Sequence, residues 1–234
     1  TSFNQPLVWN TQNVVSMRNM FANATSFNQP LVWNTQNVDD MQYMFKDATS
    51  FNQPLEWNTQ KVKNMVGMFL GATSFNHPLT SFRLDNISNN LNEGLISILY
   101  GCGMNCENLS LTLEQFKNEA IARNKQGINL GGLSLDQFYN ETGKAAISTL
   151  KAAPLGWAIT GGAYVPGCNL DAAWFKTIWK PSPGYILLPF TSGIVKCVQL
   201  DAGGVEIAST VQIKYPTLLL SSIYPISCCT SFTV

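Results

Sequence analysis

The chain carries little charge. Lysine and arginine together number 14, aspartate and glutamate together number 14, and the formal net charge is zero. Nucleic-acid binding needs clustered basic side chains that displace counterions from phosphates. No basic stripe and no polybasic membrane patch occur in the sequence. The surface is therefore expected to be polar but mostly uncharged, and nucleic acid is not expected as a partner.

Long apolar runs are missing too. A membrane-spanning helix needs roughly 18 apolar residues in succession, and no segment reaches that length. No transmembrane segment is therefore predicted in this chain. The sequence opens inside a repeat, without an initiator methionine or a signal-peptide pattern. We interpret it as a segment of a longer or processed protein.

Residues suited to catalysis or metal binding are scarce. His77 is the only histidine, which excludes a multi-histidine metal site and leaves one candidate base for Ser-His or Cys-His catalysis. His77 replaces a glutamine of the preceding repeat copies, so surface drift is the simpler explanation. Asp39 and Asp40 could touch Ca²⁺, but a solvated face explains them better. The segment GINLGG lacks the spacing of a phosphate-binding loop. We predict no enzyme activity, no metal and no cofactor.

What the sequence has in abundance is repetition. SFNQPLVWNTQNV begins at Ser2 and recurs at Ser26, SFNQPLEWNTQKV begins at Ser50, and SFNHPL begins at Ser74, so the period is 24 residues. Such a period is typical of a solenoid, in which one coil is unable to bury its apolar face and stacks on its neighbours instead.

Comparison of the copies separates a predicted core from a predicted surface. Leu7 and Trp9 lie two residues apart, as on one face of a strand, and the apolar residues that follow have helical spacing. We predict a strand, a turn and a short helix in each coil, with Phe stacked on Phe, Trp on Trp and Met on Met. The predicted core residues of the first copy are Phe3, Leu7, Trp9, Val14, Met17, Met20, Phe21 and Ala24. Positions that differ between copies form the predicted solvent face, here called the variable face; in the first copy they are Val15, Ser16, Arg18, Asn19, Ala22 and Asn23.

An Asn-Thr-Gln triplet follows the predicted strand in each of the first three copies. At a turn it is expected to form a neutral, exposed ladder able to hold an extended or periodic partner through many weak bonds. The alternative is that the triplet satisfies backbone groups of the turn. The candidate ligand residues are Asn10, Thr11, Gln12, Asn34, Thr35, Gln36, Asn58, Thr59 and Gln60.

The unit SFNQPLVWNTQNVVSMRNMFANAT resembles the repeat of the BspA-like leucine-rich-repeat surface proteins. The shared letters are a Phe-Asn-Gln-x-Leu, a Trp, a Val-x-x-Met-x-x-Met-Phe and an Ala, and they span residues 1–82. One departure is Asn-Thr-Gln where the family usually has Asp or Asn followed by Val-Ser. The resemblance implies display on a surface and contact with a host or another cell.

The repeat pattern fails after Leu79, because Ser81 stands where tryptophan is expected. We therefore predict that the solenoid ends near residue 82 and that residues 83–162 form its C-terminal cap. Thr112-Leu-Glu-Gln115 and Ser134-Leu-Asp-Gln137 have the pattern of helix capping boxes. A further helix is predicted over residues 144–153.

The cap also resembles the end of many members of that family. This resemblance rests on an Asn-Cys segment, a Thr-Leu helix, an Asn-Leu-Gly strand, an Ala-rich helix and the strand GWAITGG, which begins at Gly156. Residues 163–234 resemble nothing familiar. Their apolar runs YILLPF, IVKCVQL, VEIASTVQIKY and LLLSSIYPI, separated by Pro and Gly, indicate a small all-β domain.

Six cysteines occur, an even number that fits disulfides formed in an oxidising compartment. Cys102 and Cys106 have no second cysteine pair at zinc spacing, so a local disulfide between them is predicted. Six buried free thiols are the alternative. Disulfides favour an extracellular or cell-surface location.

The predicted fold class is an α/β repeat solenoid of the leucine-rich-repeat type with an α/β cap, followed by a small all-β domain. The predicted function is a non-catalytic, extracellular adhesion or binding module. Its expected partner is a protein or glycan on another cell or matrix, or copies of itself. An alternative is a structural subunit of an extracellular fibre or virion, assembled through solenoid ends or strand addition. Ice binding is a third class, disfavoured because no flat Thr-x-Thr row exists.

Overall fold

The computed structural model describes residues 2–90 and 92–168 and, beyond them, the backbone of five strands. Two compact units are present, Thr1–Pro166 and Gly167–Val234. The first contains four stacked coils, which we number by residues 2–24, 25–48, 49–72 and 73–102. After them come α1 (Cys106–Ala122), β1 (Asn129–Tyr139), α2 (Glu141–Lys151) and β2 (Ala158–Tyr164).

A backbone ladder joins the coils along one side. Met17 N donates to Asp40 O at 2.8 Å, and the corresponding bond recurs between coils 2 and 3 and between coils 3 and 4. Ser16, Asp40, Asn64 and Gly94 form parallel bridges, each with the next. We call residues 16–24 and their counterparts in the other coils the ladder segments.

Each ladder segment is a series of turns, so the prediction of a short helix was wrong. Met20 N donates to Met17 O and Ala22 N donates to Asn19 O, three residues back, whereas Asn19 N and Phe21 N donate to carbonyls of coil 2. A helix keeps its N–H groups within its own backbone. Here every second N–H bonds to the next coil, which links neighbours and prevents a regular helix.

Two positions have a positive φ in every ladder segment, and Gly94 adds a third in coil 4. The first is Asn19, Tyr43, Gly67 and Ser97 in successive coils, and the second is Asn23, Asp47, Gly71 and Gly101, with φ between 55° and 69°. Asparagine, aspartate and glycine adopt this left-handed region most readily. Both positions belong to the variable face, so part of their variation is limited by the backbone. Tyr43 lies over Gly67, where an added Cβ would collide with the tyrosine ring.

The extended segment with Leu7 and Trp9 is not a hydrogen-bonded strand. Among the described residues, side chains rather than paired backbones join this segment to the next coil. Trp33 Nε1 donates to Leu7 O at 3.2 Å, and Thr11 Oγ1 donates to Asn34 O at 3.0 Å. The predicted strand is therefore replaced by an extended run whose links depend on tryptophan and threonine.

Identical aromatic side chains stack between coils, as the sequence predicted. The centroids of Trp9 and Trp33 are 5.7 Å apart and those of Trp33 and Trp57 are 6.4 Å apart. Phe27 and Phe51 stack at 6.1 Å. Trp33 and Trp57 are 7% and 3% exposed, but Trp9 is 53% exposed, because no described residue packs on the outer side of coil 1. Coil 1 is therefore only partly covered, since Met17 and Phe21 are buried in the core whereas Trp9 is half-exposed.

The fourth copy forms a coil, contrary to the predicted end near residue 82. Ser81 Oγ donates to Leu55 O at 3.1 Å and so replaces the bond that a tryptophan makes in the other coils. Phe69 N donates to Ile98 O and Cys102 N donates to Leu99 O. Beyond Leu79, the buried hydrophobic residues of this coil are Phe82, Leu84, Ile87, Leu95, Ile98, Leu99 and Cys102. Extra residues before Gly94 hide the pattern in the sequence.

Polar side chains around α1 reproduce the links of a further coil. Asn105 N donates to Asn76 Oδ1 at 2.8 Å, as Asn28 N donates to Asn4 Oδ1 at 2.9 Å. Asn105 is also the N-cap of α1, since its Oδ1 accepts from Asn108 N. The capping box predicted at Thr112 is wrong, because this residue lies inside α1.

The body of α1 covers coil 4 and satisfies its backbone. Thr112 Oγ1 accepts from Leu79 N, and Glu119 Oε2 accepts from Leu84 N, both at 3.0 Å. Gln115 Nε2 donates to Phe82 O at 2.8 Å. These three polar side chains supply the partners that another coil would supply.

The ladder continues into a parallel pair of strands. Ser97 N donates to Leu130 O in β1, and β1 pairs with β2 in parallel, with Leu133 opposite Gly161. The helix predicted from Ser134 is wrong, since that residue lies within β1. The second helix, α2, and the strand β2 occur where the sequence predicted them.

The second unit contains β3 (Trp179–Pro181), β4 (Tyr185–Thr191), β5 (Ile194–Leu200), β6 (Glu206–Lys214) and β7 (Cys229–Phe232). Strands β4, β5 and β6 form an antiparallel sheet in sequence order, and β3 pairs with β7. Three of the predicted apolar runs are therefore strands. The run LLLSSIYPI lies outside the described residues.

Trp33→Ala should lower the free energy of unfolding by about 3–5 kcal/mol, because it removes a buried aromatic ring and leaves a cavity. Urea denaturation measures this loss. Trp9→Ala is the matched control, since the same deletion at a half-exposed ring should cost less than half as much. Equal losses for the two variants would contradict the description of the core.

Candidate functional site

The threonines of the predicted ligand ladder are buried, so the prediction of exposure was wrong for them. Thr11, Thr35 and Thr59 are 4%, 2% and 0% exposed. Their hydroxyls donate to Asn34 O, Asn58 O and Arg83 O of the next coil at 3.0, 2.9 and 2.9 Å. They link the coils and are not available to a ligand.

The asparagines of the ladder are exposed but partly engaged. Asn34 Oδ1 accepts from Gln36 N and Asn58 Oδ1 accepts from Gln60 N, both at 3.0 Å. Asn10 accepts from Gln12 N in the same way at 3.2 Å. Such Asx turns fix the backbone of the turn, which confirms the structural alternative for this side-chain oxygen.

The glutamines Gln12, Gln36 and Gln60 are exposed. Among the hydrogen bonds of the described residues, none involves their side-chain amides. We call these three residues the glutamine row. Of the predicted ligand ladder, this row and the amide nitrogens of the asparagines stay available for binding.

An open cleft of about 470 Å³ lies on this row. It is lined by Gln36, Asn37, Asn58, Gln60, Lys61 and Asn86, and we call it the amide cleft. Three lining residues come from the predicted ladder. The other three, Asn37, Lys61 and Asn86, were missed, although the first two follow the glutamine in their copies and so occupy one repeated position.

The missed residues make hydrogen bonds between neighbouring coils. Asn37 Nδ2 donates to Gln12 O at 2.7 Å, and Asn86 Nδ2 donates to Gln60 O at 2.8 Å. Lys61 Nζ donates to Asn37 Oδ1 at 2.8 Å. Each bond joins neighbouring coils, so these side chains are fixed by the repeat itself.

The variable face lies on the ladder side and carries a mixture of charges. Lys63 Nζ pairs with Asp39 Oδ2 at 3.2 Å, and Lys46 Nζ pairs with Asp47 Oδ2 at 2.6 Å. Arg18 is exposed in coil 1. Within the described part of the chain, no group of three or more His, Cys, Asp or Glu residues is placed to hold a metal ion.

His77 takes the structural place of a glutamine. Its Nε2 is 3.3 Å from Asn52 O, and Gln53 Nε2 donates to Asn28 O at the same distance one coil earlier. This position explains the histidine as a replacement within a coil-to-coil link.

A charged network occupies the junction of coil 4 and α1. Arg83 and Arg123 contact Asp85 at 3.1 and 2.9 Å, and Arg123 contacts Glu119 at 2.9 Å. Burial by itself raises the pKa of Asp85, but hydrogen bonds from the two arginines outweigh it and hold this pKa below its ordinary value. The network stabilises the junction and presents no isolated charge.

The predicted disulfide between Cys102 and Cys106 is wrong. Cys106 is bonded to Cys168, and Cys102 is a buried free thiol. Cys102 in coil 4 is the counterpart of Ala72 in coil 3, and it packs in the core. Gln137 Nε2 lies 3.3 Å from its Sγ. Burial raises the pKa of Cys102 to about 12, so its thiol is inert near neutral pH.

Comparison with known proteins gives one partial match. Residues 1–94 are similar to a family described as "Mycoplasma protein of unknown function, DUF285", and this stretch contains the stacked aromatic cluster. No curated protein matches the chain, and no solved structure matches it. Neither α1 nor α2, the helices of the described residues, has the length and apolar character to span a bilayer.

Thr35→Val should destabilise the protein by about 1–3 kcal/mol, because the buried Thr35 hydroxyl is lost and Asn58 O then lacks its donor in a partly buried site. Gln36→Ala, on the adjacent exposed residue, should change stability by no more than about 0.5 kcal/mol. Chemical denaturation of both variants checks this pair. A larger loss for Gln36→Ala would show that the roles of the two side chains are reversed.

Mass spectrometry without reductant should recover the peptide of Cys106 joined to that of Cys168. In the folded protein, Cys102 should resist iodoacetamide at pH 8, since its pKa is raised to about 12 by burial. It should react once the protein is unfolded in guanidinium. Rapid alkylation of folded protein at Cys102 would contradict the burial of this thiol.

Proposed function

We propose that this chain is a non-catalytic, extracellular binding or adhesion module. The coils would constitute a repeat solenoid of the BspA-like leucine-rich-repeat type, and the variable face would hold the partner. The observation that carries this proposal is the pattern of variation inside the chain. The copies keep the core and the coil-to-coil links, while the residues that differ most lie together on the ladder side.

The ladder supports binding because it makes a rigid platform. Alternate backbone N–H groups of each ladder segment are fixed by the next coil, as in Phe45 N to Met68 O at 2.9 Å. A preorganised surface loses little conformational freedom when a partner binds. Tyr43 adds a rigid aromatic ring, held over Gly67, and aromatic rings are frequent anchors of protein interfaces.

The extracellular assignment rests on the disulfide between Cys106 and Cys168. Such bonds form and persist in oxidising compartments. The nearly neutral surface suits a protein or glycan partner on another cell or matrix.

A structural role in a fibre or virion is the second candidate. Phe3 and Trp9 are 43% and 53% exposed on the outer side of coil 1, and an apolar face of this kind suits contact with another chain. Size-exclusion chromatography and electron microscopy of the purified chain distinguish single molecules from filaments.

Tyr43→Asn combined with Lys46→Ala tests the variable face. Both new residues occur at the equivalent positions of coil 1, Asn19 and Ala22, so the backbone should tolerate them. Binding to cells or to immobilised matrix proteins should fall by at least about tenfold, as expected when interface anchors are lost. The melting temperature should change little.

Val32→Glu is the control for this pair. Val32 is exposed, lies outside the ladder segments, and has Glu56 as its counterpart in coil 3. This variant should bind normally. If the double variant also binds normally, the variable face is not the contact surface.

A further inference from the structure

The amide cleft offers hydrogen-bonding groups that the coils do not use. The side-chain amides of Gln36 and Gln60 are not among the hydrogen bonds of the described residues, and both residues are exposed. Asn58 accepts through Oδ1 from Gln60 N and retains its Nδ2 group. Each glutamine amide provides a donor and an acceptor side by side. The cleft therefore has both hydrogen-bond donors and hydrogen-bond acceptors that no bond between coils uses.

The other side chains that line the cleft are held in place by hydrogen bonds. Asn37 and Asn86 are bonded to backbone carbonyls of the preceding coil at 2.7 and 2.8 Å. Lys61 is bonded to Asn37. Fixed walls lower the entropy lost when a ligand binds, so the cleft is suited to a weakly interacting, polar ligand.

The lining restricts the chemistry of that ligand. Lys61 is the single charged residue among the six that line the cleft, and its ammonium already donates to an amide oxygen. A phosphate-rich ligand needs several cations, and an apolar ligand needs apolar walls. Hydroxyl groups, which both donate and accept, match carboxamides in the absence of charge.

The repeat sets the spacing of these groups. Successive tryptophans, which directly precede the triplets, stack with centroids 5.7 and 6.4 Å apart, and backbone spacing in a ladder is about 4.8 Å. The glutamine row therefore advances by a step of this size from coil to coil. An extended β-1,4-linked sugar chain advances by a similar step per sugar, whereas an α-1,4-linked chain coils.

We propose that the amide cleft and the glutamine row bind an extended, uncharged β-1,4-linked oligosaccharide, with one sugar to each coil. The amides of Gln36 and Gln60 contact hydroxyls of successive sugars, and Asn58 adds a donor between them. This surface is separate from the variable face, so this proposal and the proposed function fail independently.

Calorimetric titration of the whole chain tests this with three hexasaccharides. Cellohexaose and the fully N-acetylated chitohexaose, both β-1,4-linked and uncharged, serve as ligands, and maltohexaose, an isomer of cellohexaose with α-1,4 links, serves as control. At least one β-1,4-linked hexamer should bind, and should bind at least about tenfold more tightly than maltohexaose and its own disaccharide. Failure of both hexamers to bind, or equal affinity for maltohexaose, would overturn the proposal.

Gln36→Ala with Gln60→Ala should lower the affinity for the bound hexamer by at least about tenfold, since two contacts are lost. The melting temperature should stay unchanged, because these amides make no links between coils. Val8→Ala with Val32→Ala alters exposed residues of coils 1 and 2 that do not line the cleft and should leave affinity unchanged. Unchanged affinity in the glutamine variant would place the sugar elsewhere.

Discussion

Each coil satisfies the hydrogen bonds of its neighbour, and the rest of the structure depends on this exchange. Met17 N and the hydroxyl of Thr35 have their acceptors in the next coil, and the indole N–H of Trp57 has its acceptor, Leu31 O, in the preceding coil. An isolated coil would leave these groups without partners while its aromatic face met water. Donors and acceptors must therefore recur at equivalent positions of successive coils, which explains why whole segments are repeated letter for letter at the 24-residue period of the first three copies.

The core was predictable because the copies could be compared within one sequence. The stacking of aromatic side chains was predictable, since an equal spacing of the copies places each Phe or Trp on the same residue of the next coil. The local backbone was not predictable from apolar spacing alone. Spacing suited a helix, but a positive φ at Asn19 and Asn23 and the alternation of donors between coils exclude one. Ser134 and Gln137 show a similar limit: Gln137 Oε1 accepts from Ser134 N at 2.8 Å, as in a capping box, yet both residues lie in β1.

The sequence predicted the repeated row of polar residues at the candidate site. It did not predict which residues of the row link the coils and which are exposed to a ligand. Asn, Thr and Gln are all small or medium polar residues, and the sequence does not tell which of three neighbours points inward. The structure turns Thr35 into the core and leaves Gln36 outside. Cysteine pairing has the same limit. Cys102 is the counterpart of Ala72 in coil 3, but this is recognisable only when residues 73–102 are known to form coil 4. The extra residues before Gly94 conceal that coil in the sequence.

The imitation of a coil by α1 has a consequence for the length of the protein. Asn105 binds coil 4 through its backbone N–H, which donates to Asn76 Oδ1, and Thr112 binds it through its hydroxyl, which accepts from Leu79 N. The closing element therefore depends on the last coil and not on how many precede it. The backbone links between coils 1 and 2 recur between coils 2 and 3, so a duplicated unit would enter the array without a new kind of backbone interface. Duplication or loss of one 24-residue unit in the gene would then change the number of coils by one and leave the contact with α1 unchanged. The number of coils is therefore a property that selection can alter in single steps.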